Sequence, residues 1–204
     1  MRSTVVLTGA LLAGLAVLPG VARAQSSGAD VCFLRGATPA EAAERPSPLR
    51  TTTITMGGQT ATLCYGAPSA RDRTVMGELV PYGEPWRTGA NEATAIHLPF
   101  AASLGEVDLE PGSYSIYTIP SEGEWQVVVN RSVERWGIPI SADVRGADVG
   151  SFTVTPTRAP EFTETLDISW APHGEGMGHL ILQWENTRIE IPVHQAGVAR
   201  HDHG

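Results

Sequence analysis

Hydrophobic and polar residues alternate over most of the chain from Thr51 onward. The segments TTTITM and QTATLCY are rich in β-branched residues and flank Gly57-Gly58, which predicts a hairpin. The segment EVDL, the turn EPGS and the segment SYSIYTIP predict a second hairpin. The two-residue period recurs in TAIHLPF, WQVVVN, SFTVT, ETLDISW, HLILQWE and RIEIPVH. Alternation with closely spaced turn signals predicts an all-β protein, a single antiparallel β-sandwich of about eight or nine strands.

Helical periodicity is confined to short segments. SARDRTVMGEL and SVERWG predict short helical connections between strands. TPAEAAER predicts one or two helical turns, with Thr38 as the cap and Pro39 at the first helical position. Trp125, Trp170 and Trp184 fall on the apolar faces of their strands, so we assign these rings to the core.

The first 24 residues have the pattern of a secretory signal. One early positive charge precedes an apolar run from Val5 to Leu18, and small residues surround Arg23, which predicts cleavage after Ala24. The run is short for a transmembrane helix, although a retained anchor is the alternative. We therefore predict a signal peptide at 1–24, a linker at 25–50, a sandwich domain at 51–195 and a flexible tail at 196–204.

The excess of acidic residues speaks against two classes of binding partner, nucleic acids and anionic lipids. The chain has 14 basic residues, all of them Arg, against 22 acidic residues. Nucleic acids and anionic lipids attract proteins that carry a basic surface, so we expect neither as a partner. With a cleaved signal, we expect a periplasmic or secreted protein without stable membrane insertion. The sequence does not determine the oligomeric state.

Two cysteines, Cys32 and Cys64, remain in a chain predicted to leave the cytoplasm. An oxidising compartment favours a disulfide between them. The alternative is a pair of unpaired thiols, one of them buried.

The motif YGAPSARDRTVMGELVPYGEPWRTGANEAT, which begins at Tyr65, is followed by LEPGSYSIYTIPSEGEWQVVVN. This sequence resembles a family of exported bacterial proteins known as domain of unknown function 2911. The resemblance runs from Thr60 to Trp136 and extends more weakly to Val193. It implies an all-β exported domain and no settled activity. The family usually continues past the Trp-Gly pair into an aromatic segment, whereas this chain has WGIPIS.

A cluster of polar and aromatic side chains lies in this motif. Arginine offers a planar fork of donors for carboxylates, phosphates or sugar hydroxyls, and aromatic rings offer flat apolar walls. The intervening glycines allow tight turns. We therefore predict a ligand-binding site formed by Arg71, Arg73, Tyr82, Trp86, Arg87, Asn91 and Glu92.

Three readings of this cluster remain open. In the first, which gives the function we favour, the groups build a rigid polar framework whose open side binds a small polar or carbohydrate-like ligand without catalysis. In the second, Arg87 bonds to Glu92 in a purely structural network, and the protein has an interaction role. In the third, Glu92 is the general base of a hydrolase with Ser69 nearby, but no nucleophile–base set is visible. His97 is expected to be a surface or pairing residue.

Histidines raise a metal alternative. HGEGMGH, from His173 to His179, combines imidazole and thioether groups, and His194, His201 and His203 follow. These are copper ligands, so a periplasmic copper-binding protein is a further alternative. Histidine-rich loops and tails are also common without a specific metal, and we predict no metal site and no cofactor.

Overall fold

The structure, a computed structural model, describes residues 28–197. In this part of the chain the strands are β1 Leu49–Met56, β2 Gln59–Gly66, β3 Ala90–Leu98, β4 Ala102–Leu104, β5 Val107–Leu109, β6 Gly112–Ile119, β7 Trp125–Asn130, β8 Asp148–Val154, β9 Thr157–Pro172 and β10 Met177–Gln195. The helices are a 3-10 helix Gly28–Val31, α1 Pro39–Ala43 and α2 Ala142–Arg145.

Two antiparallel sheets pack against each other. One has the order β1-β2-β3-β6-β7-β8 and the other the order β5-β4-β10-β9. The inward faces of both sheets form one apolar core that includes Ile96, Trp125, Leu166 and Trp184, each with at most 1% of its surface exposed. Burial of each such side chain contributes about 1.5–3 kcal/mol before entropy is considered. The predicted all-β sandwich is confirmed.

The hairpin predicted at Gly57-Gly58 forms as β1 and β2. Both glycines have positive φ, 52° and 74°, a conformation that two-residue hairpin turns favour. The hairpin predicted across EPGS is wrong. β5 pairs with β4 in the four-stranded sheet, whereas β6 pairs with β3 and β7 in the other. The link at Pro111, which has no backbone N–H for a ladder, carries the chain between the sheets.

The two helices predicted between strands do not form. Arg71 and Asp72 adopt positive φ, 54° and 58°, which interrupts a right-handed helix. SVERWG runs beside the start of β3 instead, through an antiparallel bridge between Glu92 and Trp136. The short helix in this region is α2, which begins later and is capped by Ser141.

The segment before β1 is packed onto the sandwich. Thr38 and Glu41 form a reciprocal capping box at α1, which confirms the predicted helix start. The predicted disulfide is also confirmed, because Cys32 and Cys64 are bonded and join this segment to β2. The predicted signal peptide at 1–24 and most of the predicted tail lie outside the described residues. Within residues 28–197, no helix is both long and apolar enough to cross a membrane.

Candidate functional site

A groove of about 380 Å³ opens beside the segment that leads into β3. This volume is within the range of small-molecule sites. Its lining includes apolar side chains, among them Leu79, Val80, Trp86, Ile138 and Trp184. The charged side chains that line it are Arg73, Glu84 and Arg87.

Trp86 forms a fixed aromatic wall of the groove. Its backbone exchanges hydrogen bonds of 2.7 and 2.9 Å with Thr118 of β6. Its ring stacks on Trp184 at a centroid distance of 5.8 Å and forms a T-shaped pair with Trp125 at a centroid distance of 6.4 Å. Aromatic pairs of this kind contribute about 0.5–1.5 kcal/mol beyond burial. The half-buried ring is therefore held by both sheets while it also lines the groove.

Arg87 is a half-buried cation beside this wall. Its Nε donates to the carbonyl of Gly89 at 3.2 Å. Its two terminal nitrogens have no hydrogen-bond or ion-pair partner within residues 28–197. The stem packs so closely against Gly137 that a Cβ there would lie 2.3 Å from Cδ of Arg87. Burial lowers the pKa of Arg87, but a guanidinium stays protonated at neutral pH.

Arg73 and Glu84 add a second cation and one carboxylate to the groove. Arg73 donates from Nε to the Ala70 carbonyl at 2.8 Å and from Nη2 to the Ser69 carbonyl at 2.9 Å. These bonds hold the guanidinium in one orientation. Glu84 is exposed. The groove therefore combines two cations and one anion with an aromatic wall.

Glu92 lies away from this groove, under the segment 28–48 that precedes β1, here called the N-terminal segment. Its Oε1 accepts from the backbone N–H of Arg35 at 2.9 Å, and its Oε2 accepts from Nη1 of Arg45 at 2.7 Å. The adjacent cavity is only about 10 Å³, the room of about one water molecule. The Arg87–Glu92 bond expected in the structural reading does not form, because Arg45 and Arg35 occupy the carboxylate.

The other predicted site residues also lie outside the groove lining. Asn91, at φ 62°, donates from Nδ2 to the Ser47 carbonyl at 2.8 Å. Arg71 donates from Nη2 to the Pro46 carbonyl at 3.0 Å. Tyr82 is exposed. Of the seven residues, the structure brings Arg73, Trp86 and Arg87 together in the groove, while Asn91, Glu92 and Arg71 hold the N-terminal segment.

Sequence reasoning missed Glu84 and Ile138 as lining residues. Glu84 stands two positions before Trp86 in the motif GEPW, and this proximity was an available signal. Ile138 reaches the groove because the N–H of Gly137 donates to the Asn91 carbonyl at 2.8 Å. The sequence holds no local signal for that approach.

The candidate catalytic groups are engaged in the fold. The hydroxyl of Ser69 is hydrogen-bonded to that of Thr165 at 2.7 Å, and both oxygens of Glu92 accept hydrogen bonds. His97 lies on β3, where its Nδ1 is 2.8 Å from the hydroxyl of Ser113, in agreement with a pairing role. Burial lowers the pKa of His97.

The histidine loop brings two imidazoles together. The rings of His173 and His179 are 4.7 Å apart, and Nδ1 of His179 is 3.7 Å from Oε2 of Glu190. Burial, followed by the charge of His173, lowers the pKa of His179. Across residues 28–197, no group of three or more His, Cys, Asp or Glu is arranged to hold a metal ion. His201 and His203 lie outside the described residues, so the copper alternative stays a prediction.

Comparison with known proteins gives one match. The profile of the family described as Protein of unknown function (DUF2911) matches residues 47–193, which include the groove residues from Arg73 to Ile138. No curated protein and no solved structure matches the chain. Because the profile covers well over half of the sequence, the chain belongs to the family described as Protein of unknown function (DUF2911).

Proposed function

We propose that the protein is a noncatalytic binding protein for a small polar or carbohydrate-like ligand, which it holds in the groove beside Trp86. The observation that supports this proposal is the position of Arg87, whose unpaired terminal nitrogens lie beside a fixed aromatic wall. A few fixed polar groups on an apolar surface are typical of small-molecule sites.

The surroundings of Glu92 favour a structural role over the hydrolase alternative. A general base must reach a substrate proton, directly or through one water molecule. Glu92 is buried and both of its oxygens accept hydrogen bonds, while the adjacent cavity is too small for a substrate. The interaction role proposed for a structural network has no comparable support, because the network joins parts of the same chain.

We also propose that the protein acts in the periplasm or outside the cell. The Cys32–Cys64 disulfide is compatible with an oxidising compartment. The excess of acidic residues supports a small-molecule ligand in preference to nucleic acid.

Binding is tested by thermal-shift screening of the purified chain against sugars, sugar acids and amino acids, with calorimetry on each hit. Arg87→Ala is expected to raise the Kd of a hit at least about tenfold, since it removes a charge-assisted contact. Arg71→Ala is the matched control, because Arg71 bonds to the Pro46 carbonyl and neither residue lines the groove. It is expected to leave the Kd unchanged.

Two outcomes contradict the proposal. One is a screen in which no compound raises Tm. The other is a hit whose Kd is unchanged by both Arg87→Ala and Trp86→Ala, since such a ligand binds elsewhere.

A further inference from the structure

The charge of the groove is opposite to that of the whole chain. Acidic residues outnumber basic ones by 22 to 14 over the sequence, yet the groove is lined by two arginines and one glutamate. The two cations are held differently. Arg73 is anchored to backbone carbonyls through two nitrogens, whereas Arg87 is anchored through Nε alone. The two terminal nitrogens of Arg87 are therefore hydrogen-bond donors in the groove that remain available to a ligand.

No carboxylate of the described chain satisfies these nitrogens of Arg87. Glu92 is occupied by Arg45, and Glu84, although it lines the same groove, forms no ion pair with Arg87. A half-buried cation has lost part of its hydration, and an anion that hydrogen-bonds to it restores that stabilisation. Burial lowers the pKa of Arg87, as expected for a cation that has lost part of its hydration.

The wall beside Arg87 limits the shape of the ligand. Trp86 is braced by Trp184 and Trp125 and lines the groove with an apolar surface. Aromatic side chains bind flat ligands through such surfaces. A ligand that satisfies both features carries an anionic group at one end of an apolar ring face.

We propose that the groove selects acidic sugars, with the anionic group bound by Arg87 and the ring lying on Trp86. This inference rests on the proposed function and specifies its ligand class. A guanidinium donates paired hydrogen bonds to carboxylates and to phosphates. Uronic acids and sugar phosphates therefore both carry an anionic group of the kind that Arg87 binds. Glu84 in the same groove disfavours ligands with many negative charges.

Two matched pairs of sugars test this selection. Calorimetry at low ionic strength compares galacturonate with galactose and glucose 6-phosphate with glucose, so that each pair differs in one anionic group. At least one acidic member is expected to bind at least about tenfold more tightly than its neutral partner. The pair that shows this preference identifies carboxylate or phosphate as the anion.

Variants assign the preference to Arg87. Arg87→Gln is expected to bring the affinity ratio of the pair close to one, and added salt is expected to reduce the wild-type ratio. Arg71→Gln is the control, because Arg71 bonds to the Pro46 carbonyl outside the groove, and it is expected to keep the wild-type ratio. Circular dichroism and Tm establish that each variant is folded. If Arg87→Gln does not fold, Arg87→Lys replaces it, since lysine keeps the charge and lacks the planar fork of donors. Arg87→Lys is expected to reduce the affinity ratio.

The outcomes separate this inference from the proposed function. Equal affinity for acidic and neutral sugars overturns the inference and leaves sugar binding intact. A preference that survives in folded Arg87→Gln overturns the role of Arg87. Failure of all four sugars to bind overturns the acidic-sugar inference. The broader proposal fails on separate grounds, namely a negative compound screen or a hit whose Kd is unchanged by both Arg87→Ala and Trp86→Ala.

Discussion

Arg45 donates a hydrogen bond of 2.7 Å to Glu92, although 47 residues separate them in the chain. The same carboxylate accepts from the backbone N–H of Arg35. Only 10% of the Glu92 side chain and 21% of the Arg45 side chain are exposed, so solvent screens this pair less than a surface ion pair. The pair fixes the N-terminal segment against the start of β3.

Glu92→Gln is expected to lower the free energy of unfolding by about 2–3 kcal/mol. The amide replaces one acceptor by a donor that faces Arg45 or Arg35, and it leaves the guanidinium of Arg45 without its counter-charge. Urea unfolding measures the loss. Glu78→Gln, at an exposed position, is the control and is expected to change stability by less than about 0.5 kcal/mol.

A double-variant cycle tests whether the two side chains act together. The losses from Glu92→Gln and Arg45→Gln are expected to be less than additive, because each variant already removes the shared bond. Additive losses contradict the assignment of this pair as a link between the N-terminal segment and β3.

The disulfide is expected to stabilise the same segment by a different route. Cys32 and Cys64 are 32 residues apart, and closure of a loop of that length in the unfolded chain corresponds to about 3–4 kcal/mol. Replacement of both cysteines by alanine is therefore expected to lower the free energy of unfolding by this amount. Reductant is expected to lower the Tm of the wild type and to leave the alanine variant unchanged, and equal sensitivity of the two proteins argues against a stabilising bond.

Features encoded by neighbouring residues could be predicted from the sequence. The Gly57-Gly58 turn and the Thr38 cap depend on residues within a few positions of each other. The inward face of β3, with Ile96 and Leu98, follows from a two-residue period. The bond between Cys32 and Cys64 could be predicted because the chain holds only two cysteines.

Features that depend on distant parts of the chain could not be predicted. The turn before β6 reads locally as a hairpin, but the choice between two sheets depends on which core face Val107 and Leu109 cover. Glu92 lies five residues from Arg87 yet bonds to Arg45, because the N-terminal segment returns over β3. For the same reason the seven predicted site residues do not share one site, and Ile138, from a loop distant in the sequence, lines the groove.

The stability of the protein is expected to depend on pH through His97. Burial lowers the pKa of this imidazole in the folded protein from its ordinary value of 6.5. Above pH 6.5 both states hold the neutral ring. As the pH falls below 6.5, the unfolded state binds the proton first, so the free energy of unfolding decreases until the pH passes the folded pKa.

Substitution isolates this contribution from that of other groups, including His179, whose pKa is shifted in the same direction. Urea unfolding between pH 5 and pH 8 is expected to show a smaller decrease for His97→Gln than for the wild type. Thr62 is the cross-strand partner of His97 on β2. Thr62→Ser changes no titratable group, so it is expected to keep the wild-type dependence of stability on pH. A slope unchanged by His97→Gln removes His97 as its source.

Gly137 couples the stability of the fold to the groove. A Cβ at this position would lie 2.3 Å from Cδ of Arg87 and 2.9 Å from the backbone oxygen of Asn91, so Gly137→Ala must displace Arg87 or the loop. Overpacking of this kind costs about 1–3 kcal/mol. We therefore expect a lower free energy of unfolding, and also a weaker preference for acidic sugars because the fork of Arg87 moves.

Gly123→Ala is the matched control for Gly137→Ala. The nearest atom to a Cβ at Gly123 is the hydroxyl of Ser121, at 3.9 Å, so this variant is expected to unfold and bind as the wild type does. Urea unfolding and calorimetry of the two variants measure both effects. If Gly137→Ala loses stability but keeps the acidic-sugar preference, the loop yields rather than Arg87, and the guanidinium stays in its place beside Trp86.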